Sequence, residues 1–243
     1  EDERQYIGHN GQQWTTLEDL RAGRSNVFRP LEPNLTGIGS EPRFAIGQRA
    51  LLIQAPDGNV LWDCISLIDD ATVEQVNALG GLTAIAISHP HFYSSMVAWS
   101  EAFGGVPIYL HADNRPYVQR PAPQIRYWDS ETFTLAQGLT LIRCGGHFAG
   151  STVLHWAAGA DGRGALLTGD TIQIVADRRY VSFMYSYPNM IPLRASAVRR
   201  IAAAVAPYAF DRIYNGWYEN VVDTDGNAAV RRSAERYIAA ITE

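Results

Sequence analysis

The chain has 243 residues, 47% of them hydrophobic, and a formal net charge of −5. That length supports one large α/β domain or two small ones with a substantial core, and no apolar run approaches the roughly 20 residues that cross a bilayer. With no run of basic residues to track phosphates, the acidic balance argues against nucleic-acid binding.

All 20 basic residues are Arg, which excludes a lysine nucleophile or Schiff base. Cys64 and Cys144 are far apart and form no metal-like pair, so a reducing, cytoplasmic setting is expected. The chain opens with neither methionine nor a signal-like segment, as a trimmed or processed protein would.

In chain order, residues 1–42 are polar and turn-rich and read as an N-terminal extension packed on a domain spanning 43–243. Within the extension, WTTLEDLRAG reads as a short helix with a Thr cap and an acidic first turn. FAIGQRALLIQ (44–54) and NVLWDC (59–64) flank Pro56-Asp57-Gly58 and read as a hairpin. DDATVEQVNALGG (69–81) is helix-like. LTAIAI (82–87) is a short, continuously apolar run, as a strand buried on both faces requires. The alternation continues with a helix at 94–105 and a strand at 106–112. Strands follow at 139–146, 151–156 and 164–170, then a helix at 192–206, a strand at 210–216 and a helix at 228–241. Strands interleaved with helices predict a layered α/β fold.

Chemistry gathers where apolar runs end. His89 and His91, in ISHPHFYSSM, follow LTAIAI; His147 follows LTLIRCGG; Asp170 follows GALLTG. Ligands collect at the carboxyl ends of strands in open α/β sheets. Pro90 stiffens the backbone between the first two imidazoles. Three imidazoles and a carboxylate form a plausible ligand set for Zn²⁺ or Fe²⁺. His111 and His155 lie on or near strands without matching partners and read as structural, and His9 lies in the polar front segment.

The order of these motifs resembles the metallo-β-lactamase fold superfamily over about residues 43–241. Its members carry H-x-H-x-D-H, a third His in a motif like GHTPGS, an Asp in a motif like TGD, and a last His near the C-terminus. Here these appear as His89-Pro-His91-Phe-Tyr93-Ser94, GGHFAGS with His147, LLTGD with Asp170, and IYNGWY. Asp63, in VLWDC, matches an Asp that follows an early strand in many members. The resemblance implies an αββα sandwich with the metal at one edge of two packed sheets. It also implies that the front end, EDERQYIG, resembles a segment that follows a cysteine-rich ribbon in some similar proteins, making the native chain longer.

Departures from the pattern shape the expected function. Tyr93 stands for the second-site Asp, Ser94 for its His, and Trp217 for the last His. The resemblance therefore implies a single metal on His89, His91 and His147, with Asp170 beside or on it. Zn²⁺ is the first expectation and Fe²⁺ the alternative. The expected activity is a mononuclear hydrolase, in which a metal-bound hydroxide attacks an ester, thioester, amide or similar bond of a small apolar or aromatic substrate. Asp170 would orient the nucleophile and take its proton, and Tyr93 would polarise a developing oxyanion or fill vacated volume. Phe92, Tyr180, Phe183, Tyr185, Tyr187 and Trp217 are expected to line the substrate cavity, with Arg178 and Arg179 available to a carboxylate. Tyr93 and Trp217 are expected to occupy the lost second site and to exclude bulky β-lactams. The alternatives are an iron oxidoreductase acting on a small thiol, and a non-catalytic binding or sensor protein with the same fold. A small-molecule partner is expected, with no nucleic acid and no membrane.

Overall fold

Apolar runs of three to five residues form the central strands because both of their faces are covered. The structure is a computed structural model and describes Arg4 and residues 7–242, so most of the front segment EDERQYIG lies outside the described residues. Helix α1 (Leu17–Gly23) precedes strands β1 (Ser25–Glu32), β2 (Leu35–Glu41), β3 (Arg49–Ile53) and β4 (Val60–Trp62). Helix α2 (Asp70–Ala78) leads to β5 (Ala84–Ala86), and α3 (Met96–Ala102) leads to β6 (Ile108–His111) and β7 (Ile125–Trp128). These seven strands form one sheet in sequence order, antiparallel from β1 to β4 and parallel from β4 to β7.

The second half begins with β8 (Thr132–Ala136), β9 (Leu139–Arg143) and β10 (Thr152–Trp156), followed by the single turn α4 (Gly159–Gly162) and β11 (Ala165–Leu167). Two small hairpins follow: β12 (Gln173–Ile174) with β13 (Val181–Ser182), and β14 (Met184–Ser186) with β15 (Ile191–Pro192). Then come α5 (Ala195–Val205), β16 (Arg212–Tyr214), β17 (Val221–Val222) and α6 (Gly226–Thr242). The second sheet runs β17-β16-β11-β10-β9-β8.

Three apolar clusters separate the layers of an αββα sandwich. Leu51, Trp62, Leu141, Leu154 and Leu167 fill the space between the sheets. Val76 of α2 and Trp99 of α3 cover the outer face of the first sheet with Leu61 and Ile85. Val198 and Ile201 of α5 and Val230 of α6 cover the second sheet with Ile142, Val153 and Ile213. No helix among the described residues is long and apolar enough to cross a membrane.

The predicted boundary at 42–43 does not hold. β1 and β2 pair into the first sheet, and five consecutive residues of β2 are buried, so residues 25–41 are part of the domain. Their glycines and Pro30 read as connector, but each has a packing reason. Pro30 lies on the edge strand, where a missing N–H is tolerated. Gly37 makes room for Tyr218, since a Cβ there would sit 2.7 Å from the tyrosine ring. The helix predicted over WTTLEDLRAG forms as α1, and the side chain of Thr16 accepts from the Asp19 N–H. β7 and β8 are additional to the predicted strands.

Candidate metal centre

Four side chains converge where the two sheets meet at one edge. His89 follows β5, and Pro90–Phe92 form a 3-10 turn that brings His91 back beside it. His147 lies in the β9–β10 connection and Asp170 just beyond β11. The Thr152 N–H donates to the Ser88 carbonyl at 2.9 Å, joining the sheets at this point. Gly169 lets β11 approach: a Cβ there would meet Ser88 Oγ at 2.4 Å, and its φ is +51°.

The ligand atoms of His89, His91, His147 and Asp170 lie within 4.8 Å of one another. Asp170 Oδ2 is 3.3 Å from His89 Nε2, and 3.9 Å from both His91 Nδ1 and His147 Nε2. His147 Nε2 and His91 Nδ1 face each other at 3.4 Å.

Surrounding bonds set which nitrogen of each ring faces inward. Asp63 Oδ1 accepts both the N–H and the hydroxyl of Ser88, each at 2.8 Å. The Ser88 oxygen, its own proton given away, accepts from His89 Nδ1 at 2.8 Å. His147 Nδ1 points at the Met184 carbonyl at 3.3 Å, which can only accept. Nε2 of both rings therefore presents a lone pair to the centre. Among the described residues, His89 Nε2 and Asp170 Oδ1 are buried with no hydrogen-bond partner. Lone pairs turned on one another beside a carboxylate fit a cation between them.

Electrostatics agree with this donor set. Burial pushes the His147 imidazole down to about 3, the neighbouring His89 lowering it further against the pull of Asp170. Burial likewise lowers His89, opposed by Asp170. Burial would raise the Asp170 carboxyl, but the adjacent imidazoles hold it well below the usual carboxylate range. His89 and His147 are thus held neutral beside an ionised Asp170, the protonation state of metal ligands. Asp63 is pushed up to about 7, chiefly by burial, against its bonds from Ser88.

A cavity of about 370 Å³ opens onto His91, His147 and Asp170. Of the predicted wall residues Trp217 and Tyr187 line it, together with Ile46, Gln48 and Pro188. The Tyr187 hydroxyl donates to the Asp170 carbonyl at 2.9 Å, and the Trp217 indole N–H donates to the Ile46 carbonyl at 3.1 Å. The other predicted wall residues lie elsewhere. Phe92 is in the core, its ring edge-on to His89 at 5.0 Å. Phe183 is fully buried against Tyr237, because β13 and β14 turn it toward α6. Tyr180 stacks under Arg236 at 3.8 Å, on the α6 side. Tyr185 lies 5.0 Å from the Arg4 guanidinium rather than on the cavity wall. Arg178 and Arg179 border a separate groove with Asp223 and Asp225.

Tyr93 is also displaced from its expected place. It is buried in the outer core of the first sheet beside Asn114 and does not line the cavity. The 3-10 turn explains this, since it directs His91 inward and passes Tyr93 to the α3 side. Trp217 does line the cavity while Tyr93 does not, so the two rings do not form one wall over the centre. His111 and His155 lie away from the centre: His111 Nδ1 accepts from the Asp113 N–H, and His155 Nε2 donates to the Ala209 carbonyl. Two residues at the centre carried little signal in the sequence. Ser88 was visible only as a small polar residue at a strand end, and Arg4, which also lines the cavity, had none.

No family model matches the chain. It is 53% identical to the "Uncharacterized protein YmaE" of Bacillus subtilis (strain 168) over 243 residues, covering 99% of this chain and 88% of the relative. Among solved structures it resembles the metallo-β-lactamase FIM-1 from Pseudomonas aeruginosa in its mono-zinc form, with a TM-score of 0.65 at 16% identity over 90% of this chain and 97% of that one. The metallo-β-lactamase DIM-1 matches with a TM-score of 0.65 at 14% identity over 89% of this chain and 98% of that one. The chain belongs to the family of YmaE and has the metallo-β-lactamase fold.

Proposed function

We propose that the protein is a mononuclear metal-dependent hydrolase of the cytoplasm, acting on a small molecule. One observation carries this reading: the imidazole nitrogens of His89, His91 and His147 converge with a carboxylate oxygen of Asp170, and a cavity opens onto His91, His147 and Asp170. Zn²⁺ is the proposed metal. When bound, it supplies Lewis-acid activation of water near neutral pH.

The chain's own residues provide the rest. Ser88 and the Met184 carbonyl hold two imidazoles in the ligating tautomer. Asp170, with Oδ1 buried and unpaired, accepts the proton that water loses on attack. Trp217, Tyr187, Ile46 and Pro188 exclude bulk water around the scissile bond and suit an apolar acyl or aryl group.

Metal analysis of protein purified without added metal, combined with turnover of 4-nitrophenyl acetate and of a small acyl thioester, tests the proposal. Near-stoichiometric zinc, with turnover that disappears in His147→Ala, is expected. Stoichiometric iron without hydrolysis would replace this reading with the thiol-oxidising one. Folded protein that neither holds nor rebinds metal would leave a binding protein.

A further inference from the structure

The aromatic wall formed by Trp217 is held in place by a residue of the other sheet. β3 opens with Arg49, whose N–H donates to the Gly216 carbonyl at 2.8 Å and whose Nε donates to the Asn215 carbonyl at 3.3 Å. One residue of the first sheet thus ties down the two carbonyls that precede Trp217. The Asn215 side-chain oxygen then accepts the Trp217 N–H at 3.1 Å, and the indole N–H reaches the Ile46 carbonyl, also at 3.1 Å. Ile46, Gln48 and Trp217 all line the cavity.

Arg49 is an unusual choice for this place. It is 1% exposed, with Cζ 5.0 Å from the Tyr218 ring centroid and 5.8 Å from that of Tyr214. Burial lowers its pKa to about 10, so it remains a cation at neutral pH. Among the described residues neither terminal nitrogen finds a hydrogen-bond partner, and no carboxylate is paired with it. A buried cation held this way costs stability, and an apolar side chain of similar length is often tolerated as well or better. An apolar chain cannot, however, donate to a carbonyl while presenting a planar face to two rings. Packing alone does not account for Arg49. Its side-chain donor and both of its ring contacts fall on residues 214–218.

We propose that Arg49 is a positioning residue for substrate specificity: by fixing the backbone at 215 and 216 it holds the Trp217 ring on the cavity wall, and the site thereby selects substrates with an aryl group next to the reacting bond. This deepens the hydrolase reading and rests on it. Trp217 makes the contact with substrate, and Arg49 acts through it.

The first test needs no metal. The protein is labelled with 5-fluorotryptophan, and the signal of residue 217, one of six tryptophans, is identified by its loss in Trp217→Phe. In Arg49→Met that signal is expected to move and to gain a larger shift between light and heavy water, as a ring leaving its wall would. The second test uses thiols, whose sulfur anchors to the metal while the remainder reports on the wall. After metal content has been measured, calorimetry compares benzyl mercaptan with 2-mercaptoethanol. The aryl thiol is expected to bind the wild type about tenfold or more tightly. Arg49→Met and Trp217→Ala should each remove most of that preference, and the double variant no more than either alone, while metal content and affinity for 2-mercaptoethanol stay as they were. Arg49→Lys keeps the charge but offers the rings no planar face, so it provides a second folded variant and should lose at least half of the preference. A preference that survives in both Arg49 variants overturns the proposal alone, as does an unmoved signal at 217. A folded protein that takes up no metal overturns the hydrolase reading and the selectivity with it, and the fluorine signals still decide whether Arg49 holds the wall.

Discussion

The Ser88 hydroxyl stands between a carboxylate and an imidazole, and it decides which nitrogen of His89 faces Asp170. Removing it frees the ring to adopt the other tautomer and to tilt. Ser88→Ala is therefore expected to weaken metal binding about 10- to 100-fold, the usual range for partners that orient a ligand, and Ser88→Thr to retain most of it; chelator competition reads the difference. His147→Ala should lose metal far more completely than His111→Ala or His155→Ala, whose rings bond to backbone away from the centre. Equal metal content in the three folded variants would mean that the site is elsewhere. The four converging residues were legible in sequence because a strand end is a fixed address: the apolar run stops and the next polar residue must face the sheet edge. The walls were not legible. In the aromatic stretch 178–189, Tyr187 lines the cavity, Phe183 enters the core and Tyr180 stacks on α6, and composition cannot distinguish a ring facing a cavity from one facing a helix.

Among elements, the decisive arrangement is the close approach of β11 to β5, which brings Asp170 to the two histidines. Gly169 permits it. Its φ of +51° suits glycine, and a Cβ would lie 2.4 Å from Ser88 Oγ and 3.4 Å from an Asp63 carboxylate oxygen. Gly169→Ala is expected to cost about 1–3 kcal/mol by overpacking and strain and to displace Ser88, lowering metal affinity as well. Urea unfolding with and without metal would show both losses, and an unchanged midpoint in both states would refute this account. The regular strands and helices were readable from the sequence because their apolar periodicity follows from the layers that cover them. β1 and β2 were not, since Gly37 and Gly39 make room for a ring that arrives from residue 218. A glycine kept for a distant partner looks, locally, like one kept for a turn.

At the scale of the whole molecule, the buried centre couples stability to pH, with contributions of opposite sign. His89 and His147 are held below their ordinary value, chiefly by burial, His147 at about 3. The unfolded chain takes up protons at these sites near pH 6.5, where the folded protein cannot, so their contribution is present above about 6.5 and is lost as pH falls toward 3. Asp170, held low by the imidazoles despite its burial, adds to the loss in acid. Asp63 acts oppositely. Burial raises it to about 7, so the folded protein keeps a proton that the unfolded chain releases near 4; its contribution is present in acid and lost as pH rises through 7. Two imidazoles outweigh one carboxyl, and the metal-free protein is expected to lose a few kcal/mol between about pH 6.5 and 4. Asp63→Asn removes the opposing contribution, so the variant should lose stability more steeply in acid and show a flatter profile between pH 6 and 8. With metal bound the acid loss grows, because protons compete for the same nitrogens and binding stabilises only the folded state. Thermal unfolding at a series of pH values, for the wild type with and without metal and for Asp63→Asn, resolves each contribution. A metal-free protein whose melting temperature stays level from pH 6.5 to 4 would mean that these imidazoles are not held neutral by the fold.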